Sequence, residues 1–136
     1  MTWIVAAITA ALVFGALDAV WLSWAGPNFY RPRLGDILAD SFRMMPALVF
    51  YAAYIAAIVW FAVRPGLSLG IGAAALNGAL LGEICYATYD LTNQATLNVW
   101  SSRLTLIDLA WGTVLTLSAS SIGYLAARWA ENRLGG

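Results

Sequence analysis

The chain has 136 residues, 62% hydrophobic and 10% charged, with seven acidic residues balanced by seven arginines and no lysine. A water-soluble domain carries about a quarter charged residues, so a mean hydropathy of +0.76 excludes a water-facing surface and implies one integral membrane domain spanning residues 1–136. The absence of histidine and the single Cys85 exclude His-ligated haem or zinc, histidine general-base catalysis, a CxxC site and an intrachain disulfide; no basic run points to nucleic acid, and no cofactor or metal is expected.

The N-terminal apolar run lacks a basic n-region and is too long for a signal-peptide core. It reads as a retained first span over residues 2–24, long enough to cross about 30 Å of hydrocarbon. Pro27, Pro32 and Gly35 punctuate the polar stretch that follows. Within it Leu34, Ile37, Leu38 and Phe42 fall at helical spacing against Asp36, Asp40 and Arg43, which predicts a short amphipathic helix lying in the interface.

The second span is predicted over residues 45–63, with Pro46 in its first turn, where a missing N–H is tolerated. Arg64-Pro65-Gly66 reads as a tight turn, and a third span runs over residues 67–89. Residues 90–103 form a polar loop, residues 104–127 the fourth span, and a short polar tail runs to Gly136. The expected fold is all-α: a polytopic bundle of four transmembrane helices whose first partner is the lipid bilayer. Both termini then share one side with the Arg64 turn. Arg64, Arg128 and Arg133 on that side favour cytoplasmic termini.

Asp18, Glu83 and Asp108 interrupt these apolar stretches. Asp18 and Glu83 each lie six residues, roughly 9 Å, before the end of their spans, and Asp108 lies roughly 6 Å after the start of its own. The first and third spans exit where the fourth enters, so all three carboxylates approach the long-loop face, together with Arg43, Arg103, Tyr51, Tyr54, Tyr86 and Tyr89. An ionisable group at the centre of a span costs about 2.5 to 3.5 kcal/mol on insertion scales, and chains keep one for a pocket, a pair or a pathway. The bland alternative is an internal pair, such as Asp18 or Asp108 with Arg43.

In the third span Glu83, Tyr86 or Ala87, and Asp90 recur at three- to four-residue spacing and share a helix side. Gly78 and Gly82 have the GxxxG spacing that permits close helix approach, and with Asn77 they are explained by helix packing. Asp18-Ala19-Val20-Trp21 in the first span is matched by Asp108-Leu109-Ala110-Trp111 in the fourth. The two Asp–Trp pairs either line one cavity or place Trp21 and Trp111 in an interfacial aromatic belt. The candidate ligand-binding residues are Asp18, Trp21, Arg43, Tyr51, Glu83, Tyr86, Tyr89, Asp90, Asn93, Asp108 and Trp111; no catalytic residue is identified.

The run Tyr86-Ala87-Thr88-Tyr89-Asp90-Leu91-Thr92-Asn93-Gln94-Ala95-Thr96-Leu97, followed by Trp100 and by Asp108-Leu109-Ala110-Trp111-Gly112, resembles the domain-of-unknown-function family 2177. The resemblance extends to Asp18-Ala19-Val20-Trp21-Leu22, Phe29-Tyr30, Pro46-Ala47 and Phe50-Tyr51. It implies a small four-span protein of the bacterial inner membrane and carries no catalytic assignment.

Three functions follow as expectations. The first is a binding or accessory module that holds a lipid, isoprenoid or other amphipathic ligand, its head in the acid-lined pocket and its body among Phe50, Tyr54 and Trp60, or that serves as a subunit of a larger membrane complex. The second is a proton-coupled transporter, a homodimer joined through Gly78 and Gly82. The third is a lipid-modifying membrane enzyme that uses a carboxylate as acid or base, with Arg43 or Arg103 on the head group.

Overall fold

The structure is a computed structural model that describes residues 1–135. Four long helical rods account for nearly all of it: α1 (Thr2–Ile37), α2 (Met44–Leu69), α3 (Ile71–Thr96) and α4 (Ser102–Leu134), each long and apolar enough to cross a membrane. The expected four-helix membrane bundle is therefore the fold. Leu12, Val20, Met45, Ile84 and Leu106 are exposed on its outside, as befits helices solvated by lipid rather than water.

Two of the rods pass through prolines that would stop an ordinary helix, and both do so by local widening of the helix to an i→i+5 hydrogen-bond pattern. Pro27 falls within a π turn, Gly26–Tyr30, and Pro65 lies two residues past another, Val59–Val63. A π turn re-routes carbonyls that proline cannot satisfy. The Phe61 carbonyl, whose usual helical donor would be residue 65, accepts a hydrogen bond from Asn77 Nδ2 at 3.1 Å. Asn77 is thus a packing residue, as the sequence suggested.

These turns move the element boundaries. The second rod does not end at Arg64-Pro65-Gly66 but runs to Leu69, and the chain reverses at Gly70, whose φ of +100° suits glycine alone. The third helix continues past Tyr89 to Thr96, so Asp90 and Asn93 are helical rather than in a loop. Between the first two spans, the helical part is Arg31–Leu34 followed by Gly35–Ile37, continuous with α1. Gly35, at φ +37°, breaks its regularity, and Phe42 lies exposed in irregular chain instead of extending an amphipathic helix. Ser101 caps α4 by accepting the Leu104 N–H at 3.2 Å. Helix α4 reaches Leu134 where a polar tail was expected, and Gly136 lies outside the described residues.

Helix α4 is the hub, packing along α3 on one side and α1 on the other. Small residues make both contacts close. Ala6, Ala10 and Phe14 of α1 meet Leu115, Ala119 and Ala127 of α4, with Tyr54, Ile55, Ile58 and Val63 of α2 closing the core. Along α3 and α4 the buried stripes advance four residues at a time, Gly78–Gly82–Tyr86–Asp90 against Ser120–Thr116–Gly112–Asp108. A Cβ on Gly78 would lie 2.6 Å from Ser120 Cβ, and one on Gly82 would lie 2.5 Å from the Gly112 carbonyl oxygen. The Tyr86 ring rests directly on Gly112. The GxxxG face is consequently filled by the chain's own α4 and is not free to join two copies.

Candidate functional site: a carboxylate cluster roofed by aromatic side chains

The antiparallel register of α3 and α4 brings Asp90 beside Asp108. Asp90 is completely buried against the Asp108 carboxyl, and among the described residues no amide, indole or alcohol donor reaches either of its oxygens. Asp108 is 6% exposed and accepts a hydrogen bond from the Tyr30 hydroxyl through Oδ1. Asp18, half-buried on α1, is the third member, with Asp108 as its charged neighbour. Two of the three acids singled out in the spans therefore meet, joined by Asp90.

The Asp–Trp motifs of α1 and α4 interlock crosswise. Trp111 Nε1 donates to Asp18 Oδ1 at 3.4 Å, while Trp21 Nε1 donates to the Tyr30 hydroxyl at 3.0 Å, which in turn donates to Asp108. The indoles of Trp21 and Trp111 stack with centroids 4.7 Å apart and planes within 14°. Such stacking contributes about 0.5 to 1.5 kcal/mol beyond area burial. These tryptophans hold the acids in place rather than standing separately at the interface.

Tyr86 is half-buried, with Asp18, Asp90 and Asp108 as its acidic neighbours. Tyr89 is exposed beside Asp90 and Asp108 and packs edge-on against Trp100. Asn93 lies one turn beyond Asp90, half-buried. Above it a relay ties down the α3–α4 connection: Trp100 Nε1 donates to Thr105 Oγ1 at 3.1 Å, Thr105 to Gln94 Oε1 at 2.7 Å, and Gln94 Nε2 to Ser102 Oγ at 2.8 Å.

Other candidates lie apart. Arg43 and Arg103 are exposed, and the one ion pair among the described residues is Arg128–Glu131 at 3.3 Å. The internal Asp–Arg pair that offered a bland account of the acids does not form. Tyr51 spends its hydroxyl on the Ala11 carbonyl, and Tyr54 donates to Thr116 Oγ1 at 2.6 Å, both within the core. Glu83 is exposed on the outside of α3. It sits one residue off the buried four-residue stripe, about 100° around the helix from Gly82.

Tyr30 and Gln94 are the residues that sequence reasoning missed. Pro27 made residues 25–43 look like a connection, which hid that the π turn carries Tyr30 back over the cluster. Gln94 falls in the polar stretch that the sequence assigns to a loop, whereas α3 runs on to Thr96 and carries it. A continuous helical count through both stretches is the signal that would have found them.

Chemically, the cluster offers carboxylate oxygens without a protein cation to neutralise them. No group of three or more His, Cys, Asp or Glu side chains among the described residues is arranged to hold a metal ion. The natural complement is a proton or a group rich in N–H or O–H donors.

Compared with known proteins, residues 3–125 match a family model described as "Predicted membrane protein (DUF2177)". No curated protein and no solved structure matches the chain.

Proposed function

The chain belongs to this DUF2177 family of membrane proteins, and from that premise we propose that it is a binding module that holds an amphipathic, lipid-like or isoprenoid ligand by its polar head at the carboxylate cluster. The observation that carries the reading is Asp90, fully buried beside the Asp108 carboxyl and, among the described residues, with no amide, indole or alcohol donor on either of its oxygens. Burying such a group without a partner costs about 1 to 3 kcal/mol, more when it is charged, and a ligand head that donates hydrogen bonds offsets that cost. Half-buried Asp18 neighbours Asp108, and exposed Tyr89 neighbours both Asp90 and Asp108. Three carboxylates and no arginine favour a hydroxyl, amide or ammonium head and repel a phosphate. The apolar body lies along the outer surface of the bundle, where aliphatic side chains already face lipid.

In the same reading the bundle resides in the bacterial inner membrane. Its termini and the Gly70 turn face the cytoplasm, on the side bearing Arg64, Arg128 and Arg133.

The test is native mass spectrometry of protein released from a mild detergent, with identification of what stays bound. A defined amphiphile should accompany the wild type and be lost from Asp18→Asn and Asp90→Asn, with helical content unchanged. Identical bound lipids in all three, or none in any, refutes the module.

One observation favours a second reading, proton-coupled transport: Asp90 and Asp108 lie side by side within the spans, and among the described residues no arginine pairs with either. Proton release from purified protein on addition of a transported amine, absent in Asp90→Asn, would move that reading ahead.

A further inference from the structure

The outside of the bundle carries a charge that the fold itself leaves unanswered. Glu83 is exposed in an open groove of about 450 Å³ between α3 and α4, with Leu106, Leu109, Ala110, Thr113 and Val114. It lies thirteen residues, about 20 Å, from the Thr96 end of α3 and twelve residues, about 18 Å, from the Ile71 end. A glutamate side chain does not span either distance to reach the interface. Thr113, the other polar side chain of the groove, donates its hydroxyl to the Leu109 carbonyl.

Carboxylates within a span face a bundle interior or a watered cavity and pair with something. Glu83 faces outward, into a trough lined mainly by apolar side chains. Its complement is a cation at the same depth. None of the chain's own seven arginines supplies one: Arg31, Arg33, Arg43 and Arg103 cluster at one end of the bundle, and Arg64, Arg128 and Arg133 at the other. A second copy docked by two-fold symmetry would therefore set Glu83 against apolar side chains or against its own counterpart. Nor does the GxxxG face offer an alternative self-interface, since α4 fills it.

We propose that the Glu83 groove is a docking site for a transmembrane helix of a different protein, one that carries a basic side chain near its middle. The partner helix lies along α3 and α4, its apolar side chains on Leu106, Ala110 and Val114, and its cation pairs with Glu83. Thermodynamically this is an ordinary membrane contact: packing provides area, and one charge pair in hydrocarbon fixes register and partner.

The experiment is energy transfer in phosphatidylcholine vesicles between the donor-labelled protein and acceptor-labelled Leu-rich transmembrane peptides, identical but for a central Lys, Leu or Glu. The Lys peptide should associate about tenfold more tightly than the Leu peptide or better, and the Glu peptide least. Glu83→Leu should erase the preference for Lys. Asp18→Asn, altered in the carboxylate cluster, should keep it, which separates this site from the ligand site proposed above. Equal association of the Lys and Leu peptides, or a preference that survives Glu83→Leu, overturns the proposal. Glu83-dependent transfer between donor- and acceptor-labelled copies of the chain itself, without a Lys preference, would also overturn it and make the groove a self-interface.

Discussion

Replacing Gly82 by alanine tests the register that creates the carboxylate cluster. The new methyl would lie 2.5 Å from the Gly112 carbonyl oxygen, 2.7 Å from Thr116 Oγ1 and 2.8 Å from Thr116 Cβ. These separations are roughly 1 Å inside comfortable contact. The nearest atom is helix backbone, and the Thr116 hydroxyl is held between Tyr54 and the Gly112 carbonyl, at 2.6 and 2.8 Å. Neither neighbour can rotate away, so α3 and α4 must part. Overpacking of this kind costs about 1 to 3 kcal/mol. The loss is larger than the helix-propensity gain of about 0.8 to 1 kcal/mol that Gly→Ala brings in a helix interior. Gly72→Ala is the internal control, since nothing lies within 4 Å of its added Cβ, and it should be neutral or stabilising. Unfolding by SDS titration, followed by circular dichroism, reads both. If Gly82→Ala is as stable as Gly72→Ala, α3 and α4 do not pair in this register, and the meeting of Asp90 with Asp108 loses its basis.

Tyr30→Phe removes the hydroxyl that accepts from Trp21 and donates to Asp108. It should cost about 1 to 3 kcal/mol and reduce the near-ultraviolet dichroism of the Trp21–Trp111 stack; unchanged stability and spectrum would show that Tyr30 does not anchor the cluster. Asn77→Ala should cost about 0.6 kcal/mol, the average for interhelical hydrogen bonds in a membrane bundle, because it strips the donor from the Phe61 carbonyl. In a Pro65→Ala background the restored backbone N–H takes that role and the same change becomes nearly neutral. Additive losses in the double mutant would refute the link between Asn77 and Pro65.

Much of the architecture is legible in the sequence. Four apolar stretches with few charges leave no fold but a bundle of spanning helices, because every backbone N–H and C=O in hydrocarbon must be satisfied within its own helix. The direction of each span follows by alternation, so the gathering of Asp18 and Asp108 at one end could be counted from chain positions. The DxxW match between the first and fourth spans pointed to one site. It left open which tryptophan serves which aspartate.

What composition and periodicity could not decide were the places where the hydrogen-bond ladder slips and the helix faces that end up in contact. The π turns at Gly26–Tyr30 and Val59–Val63 rotate everything beyond them by an amount no average period predicts. One carries Tyr30 onto Asp108, and the other extends the second span past Pro65. Glu83 and Asp90 share a helix side by simple counting, yet one is exposed and the other buried. Their fates diverge because the α3–α4 contact follows a four-residue stripe through Gly78 and Gly82, and such a stripe drifts about 40° per step around a 3.6-residue helix. By Asp90 the drift has brought a charged residue to the centre of the interface, and at Glu83 it has left one outside. Sequence alone determined that the chain spans the membrane and which end holds its acids; the close approach of two glycine-bearing helices decided which acids meet and which one faces outward.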